Sequence, residues 1–189
     1  MKIKKGLIIG AVMVAATHIA LADPTALNLV RKGNDYVGVQ SKDKLLGIYS
    51  DKSVVTLAPN IWHVVYFDPD STFKSVDVKF GAGEEMGVSH AMRGFFKTAK
   101  PADIIDQSKL RVDSDRALKI AASQPLLKGL TLKASKLSLE NGDYGVVWKV
   151  ELWAAKVNDP SKQVAIGAVT ISATDKSVVQ STLDPGKAG

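Results

Sequence analysis

Tyr144-Gly145-Val146-Val147-Trp148-Lys149-Val150-Glu151-Leu152-Trp153-Ala154-Ala155 places Trp148, Val150 and Leu152 on one side and Lys149 and Glu151 on the other. Such strict alternation predicts a strand with one buried face. Before it, Leu130 to Glu140 reads as a second strand, irregular near Ala134, and Asn141-Gly142-Asp143 is the turn between them. After it, Asn158-Asp159-Pro160-Ser161 is a loop, and Val164 to Ala173 a third strand kinked at Gly167. Upstream, Asp113-Ser114-Asp115 offers N-cap side chains to a helix carrying Ala117, Ile120 and Ala121 at helical spacing, which Pro125 ends. The second half therefore predicts a helix followed by a three-stranded antiparallel meander.

The first half follows the same order. Ala26, Leu29, Val30, Gly33, Val37 and Gln40 lie at roughly helical intervals, although Gly33 and Gly38 each weaken a helix by about 1 kcal/mol relative to alanine. Lys44 to Ser50, Ile61 to Phe67 and Phe73 to Phe80 read as strands, and Gly81-Ala82-Gly83 closes the last. Trp62-His63-Val64-Val65-Tyr66 aligns with Trp148-Lys149-Val150-Glu151-Leu152, and an Asp-Pro pair follows each, Asp68-Pro69 and Asp159-Pro160. The pattern predicts an α+β protein of two tandem repeats, each a helix packed on a three- to four-stranded antiparallel sheet. Residues 23–87 form the first repeat and 113–183 the second. Residues 88–112 form a linker that packs across both, since Met92, Phe95 and Phe96 are too apolar for a free tether. Residues 184–189 read as a flexible tail.

Residues 1–22 resemble a secretory signal peptide. Lys2, Lys4 and Lys5 precede an apolar stretch of about 16 residues, shorter than the roughly 20 a membrane span needs, and Ala20-Leu21-Ala22 supplies a cleavage site. The expectation is a periplasmic or secreted protein, cut after Ala22, with no stable membrane insertion afterwards. Removing those three lysines halves the formal charge of +6. Lys97, Lys100, Lys109 and Arg111 are interspersed with Asp103 and Asp106, so no basic face predicts a nucleic-acid partner. The chain has no cysteine, which excludes disulfides and thiolate chemistry.

Leu110-Arg111-Val112-Asp113-Ser114-Asp115-Arg116-Ala117-Leu118-Lys119-Ile120-Ala121 resembles the opening of PepSY-like domains, a short strand leading into an alanine-rich helix. Val147-Trp148-Lys149-Val150 and Gly167-Ala168-Val169-Thr170-Ile171-Ser172-Ala173-Thr174-Asp175-Lys176 resemble their later signatures, with Lys176 where glycine is usual. The resemblance covers residues 109–183 well and 24–86 weakly. It implies an envelope or secreted module, associated with peptidase propeptides, that binds or inhibits and carries no catalytic residues. Tandem units of this kind are similar in outline to β-lactamase inhibitory protein.

The residues themselves point to no catalytic, cofactor-binding or metal-ligating set. His63 and His90 are isolated rather than spaced as zinc ligands. No G-x-S-x-G turn appears, Asp68-Pro69-Asp70 lacks the glycine and terminal glutamate of an EF-hand, and Gly81-Ala82-Gly83 opens no helix. What stands out is apolar surface. The strand Ile61 to Phe67 carries Trp62, Val64 and Tyr66 on one face and Ile61, His63, Val65 and Phe67 on the other, while Trp153 stands among Lys149 and Glu151. A sheet covered by helices on one side should be polar on the other. Ile61, Val65, Phe67 and Trp153 are therefore the expected anchors for a protein partner in the cell envelope. Self-association is left open. The alternatives are a small-molecule or lipid carrier using the same apolar face, and a hydrolase with a dispersed site.

Overall fold

The computed structural model describes residues 24–90 and 98–189. Two short helices, α1 (Ala26–Gly33) and α2 (Ser114–Ala122), each precede four strands. The first four are β1 (Leu45–Ser50), β2 (Ile61–Phe67), β3 (Ser75–Gly81) and β4 (Glu84–Ser89). The second four are β5 (Leu132–Gly142), β6 (Gly145–Ala155), β7 (Gln163–Ser172) and β8 (Val178–Ser181). All eight join one antiparallel sheet in the order β4-β3-β2-β1-β5-β6-β7-β8.

This corrects the expected architecture. The chain is mainly a single eight-stranded sheet with small helices, mostly β, and not two tandem helix-on-sheet repeats. The reason lies at the seam between β1 and β5. There Ile48 pairs with Leu139 and Tyr49 with Ser138, so neither half keeps an edge of its own at the middle. Serine hydroxyls extend the pairing: Leu137 N donates to Ser50 Oγ at 2.9 Å and Ser135 N to Ser53 Oγ at 2.9 Å.

Both helices lie on one face of the sheet and bury a common core. Ala26, Leu29 and Val30 of α1 and Ala117 and Ala121 of α2 pack with Val64, Tyr66, Val78, Phe80, Leu137, Val150, Leu152 and Val169. At the seam the two tryptophans that the sequence aligns meet edge to face, their ring centroids 6.5 Å apart. Trp62 Nε1 donates to Pro59 O and Trp148 Nε1 to Val112 O, so neither buried indole leaves a donor unsatisfied.

The helix N-termini are joined as well. Asp113 Oδ1 accepts from Ser114 N at 2.7 Å and from Leu27 N at 3.0 Å, while Ser114 Oγ accepts from Ala26 N at 3.0 Å. One Asp-Ser pair thus satisfies first-turn amides of both helices and puts a carboxylate between two positive dipole ends. Helix α1 stops at Gly33 rather than continuing toward Gln40, and Tyr36 N closes a turn on Gly33 O.

The expected irregularities in the second half are present as bulges at Leu132/Ala134 and opposite Leu152/Trp153, where Gly167 takes φ +112°. The last residues, read as a flexible tail, form a 3-10 turn at Pro185–Ala188. There Val157 N donates to Ala188 O, and Ala188 is buried.

Candidate functional site

The face away from the helices carries a packed part and a polar groove, and a loop projects from the end of the sheet between β1 and β2. In the packed part, Leu46, Val65, Phe67 and Ala99 form a second, smaller core, with Tyr49 and Ile104 against it. Val65 is 0% and Phe67 8% exposed, so the connection between the halves covers these two expected anchors. Ile104 follows the 3-10 turn Pro101–Asp103, and Ile105 N donates to Leu45 O at 2.7 Å. Met92, Phe95 and Phe96 lie outside the described residues, as does the expected signal peptide. Ile61 and Trp153 keep partial exposure.

The projecting loop runs from Asp51 to Pro59, between β1 and β2. Ser53 N donates to Ser135 O at 2.8 Å, Ser135 N to Ser53 Oγ, and Ser135 Oγ to Leu57 O at 2.6 Å. Ser135 thereby clamps the loop on both sides of its tip, Val54-Val55-Thr56. The tip itself points into solvent, with Val54 85% and Val55 93% exposed. Beside it lies a groove of about 370 Å3 lined by Val54, Val55, Thr56, Ala58, Asn60 and Ile61. At the loop's base, Lys52 Nζ sits 4.6 Å from the centre of the Trp153 ring. Two of the four expected anchors, Ile61 and Trp153, therefore flank a feature that the sequence reading missed. Two adjacent valines in a stretch bounded by Asp51 and Pro59 were its only signal.

The polar groove, about 340 Å3, is lined by Tyr49, His63, Asp77, Lys79, Gly87, Val88 and Ser89. Register assembles it. Tyr49 pairs with His63 and His63 with Lys79, and Asp77 stands diagonally next to His63 on the same face. Asp77 Oδ2 accepts from Tyr49 Oη at 2.8 Å and lies 2.9 Å from His63 Nδ1. The His63 ring stacks on Tyr49, with centroids 4.4 Å apart and planes 5° from parallel. Burial, then the charge of Asp77, raise the Tyr49 phenol well above its ordinary value, so it stays a hydrogen-bond donor to that carboxylate. His63 Nε2 faces Asp51 Oδ1 at 3.9 Å, and Lys79 Nζ stands 3.9 Å from Asp51 Oδ2.

The other histidine among the described residues stands apart from this group: His90 Nδ1 lies 3.4 Å from Asp68 Oδ2. Asp68 Oδ1 accepts from Asp70 N within its own turn. Among the described residues no set of three or more histidine or carboxylate side chains is placed to hold a metal ion. No described helix is long and apolar enough to cross a membrane.

No protein-family model, curated protein or solved structure matches this chain.

Proposed function

We propose that this chain is an exported, non-catalytic protein-binding module, a partner to or inhibitor of an envelope protein such as a peptidase, docking through the Asp51–Pro59 loop. The observation that carries the reading is the pair Val54 and Val55, nearly fully exposed on a tip held at both ends by Ser135. Exposed β-branched side chains gain nothing for the fold. On a loop fixed before binding they lose little entropy when a partner covers them, which favours affinity. Trp153 beneath Lys52, and Ile61 along the adjoining groove, supply a larger rim of the kind found around binding hot spots. The partner side implied by this chemistry is an apolar cleft. Export is supported by the lysine-led apolar segment and Ala20-Leu21-Ala22.

The test compares the full mature chain with a Val54→Ser, Val55→Ser double variant in capture from an envelope fraction. The expected result is loss of the captured partner with a melting temperature within about 2 °C of the parent, since surface substitutions remote from packing change stability little. Undiminished capture by the double variant rejects docking through the loop.

A further inference from the structure

The free edge of a sheet offers unpaired N–H and C=O groups to another strand, and proteins blunt it with charges, proline or bulges. At one end of this sheet, β4 opens with Glu84 and Glu85. At the other end, Ser177-Val178-Val179-Gln180-Ser181-Thr182-Leu183 carries no charge, proline or glycine. The chain stays paired beyond β8 itself: Thr182 N donates to Ala168 O at 2.9 Å and Asp184 N to Ile166 O at 2.7 Å. A bulge at Thr170/Ile171 disturbs this ladder only at its start. Alternation then turns the amides of Ser181 and Leu183 away from β7.

Among the described residues β8 pairs with β7 alone. Residues 91–97 are tied at both ends to the β2–β3 connection, by His90 beside Asp68 and by Ala99 N on Phe73 O. At a maximum of about 3.6 Å per residue, such a tether reaches about 16 Å out and back. β8 lies at least five strand spacings from that connection, about 24 Å along the sheet.

Charge selects the partner and the register. When β8 meets the β8 of a second copy antiparallel, with Gln180 on the two-fold axis, Lys176 faces the partner's Asp184 at each end of the uncharged run. Outward amides must oppose outward groups, so the next registers are two residues away, and both lose the two charge pairs. Within its own chain, among the described residues, Asp184 has Lys187 as its ion-pair partner, at 4.0 Å on the surface.

We propose that β8 is a self-association edge, to which a second copy of this chain adds its own β8 antiparallel about Gln180. Main-chain hydrogen bonds and two Lys176–Asp184 pairs join the sheets. The docking loop rests on β5, three strands away, so the dimer presents two free loops. A single strand pair is a small interface, and its dissociation constant should be on the order of 100 µM.

The test is sedimentation velocity on the full mature chain from about 10 µM to about 1 mM, which brackets that value. The expected result is a monomer–dimer equilibrium. Lys176→Asp or Asp184→Lys alone sets like charges face to face and should weaken it at least about tenfold, while the two together should restore it. Aspartate tolerates the left-handed backbone of Lys176, φ +73°, and the Asp184 side chain makes no capping bond, so both variants keep the fold, which melting temperature checks. Because the chain has no cysteine, Gln180→Cys reports the register. Its two Cα atoms would lie about 4.5 Å apart across the axis, within disulfide range, so oxidation should give a covalent dimer. Met86→Cys on β4 should not. A monomer throughout the range leaves the edge to a strand of another protein, and a ladder of larger species means that β8 takes β4 of the next copy. Either result overturns the proposal, as does a dimer indifferent to the charge reversals or a Gln180→Cys chain that does not cross-link.

Discussion

Gly33 shows how one residue can set the limit of an element. A Cβ built there would lie 2.2 Å from Tyr66 Oη, whose hydroxyl donates to Val30 O at 2.5 Å. In the sequence Gly33 reads as a weakness in a helix. Its physical role is to let α1 approach β2 closely enough for that bond. Gly33→Ala should therefore destabilise the protein by about 2 kcal/mol, the cost of overpacking a filled site, as read from urea unfolding. Tyr66 also makes stability depend on alkaline pH. Burial, with Asp43 and Asp35 adding to it, raises its phenol above the ordinary value of 10.0. A folded-state value above the unfolded one leaves stability whole below about pH 10 and erodes it as pH rises further, by up to about 1.4 kcal/mol per unit. Urea midpoints at pH 9, 10 and 11 should fall accordingly, and a Tyr66→Phe variant should show a flatter decline.

The elements divide by how much of their pairing is written locally. Strand β6 is legible because Trp148, Val150 and Leu152 are buried on one face and Lys149 and Glu151 are not. The edge strands β4 and β8 are not, since both are largely exposed and their apolar residues Met86, Val88 and Val178 stand in solvent rather than marking a buried face. In the sequence Gly81-Ala82-Gly83 closes the third strand of a first repeat reaching residue 87, and no fourth strand is marked there, where the structure places a hairpin to Glu84. The seam was illegible for a related reason. Ser50, Ser53 and Ser135 hold it together, and serines carry no periodic signal. The paired helix N-termini are half legible: Asp113-Ser114 reads as a cap for α2, but its hold on α1 depends on a contact far along the chain. Asp113→Ala should cost about 2 kcal/mol because it strips both helices at once, whereas an ordinary cap is worth about 1. Thermal denaturation beside Asp113→Asn, which keeps an acceptor oxygen, separates lost capping from lost charge.

At the scale of the molecule, the matched tryptophans were legible in the sequence but their meaning was not. Trp62 and Trp148 look like one position in each of two units, yet they touch across the middle of a single sheet. A double-mutant cycle with Trp62→Phe and Trp148→Phe should give a coupling energy of about 1 kcal/mol, in the range of other aromatic pairs. Additive losses would mean that the rings contribute independently. Within the polar groove the partners were visible singly, His63 opposite Trp62 and Asp77 alternating with Val76 and Val78, but only the register of β2 against β3 brings them together. The clamp at Ser135 has a consequence for evolvability. Because Ser53 and Leu57 secure the loop from below and the Thr56 hydroxyl donates to Ala58 O, the Val54 and Val55 side chains at the tip carry no share of the folding task. A lineage, or a selection experiment that randomises those two positions, can explore new surfaces on an unchanged scaffold.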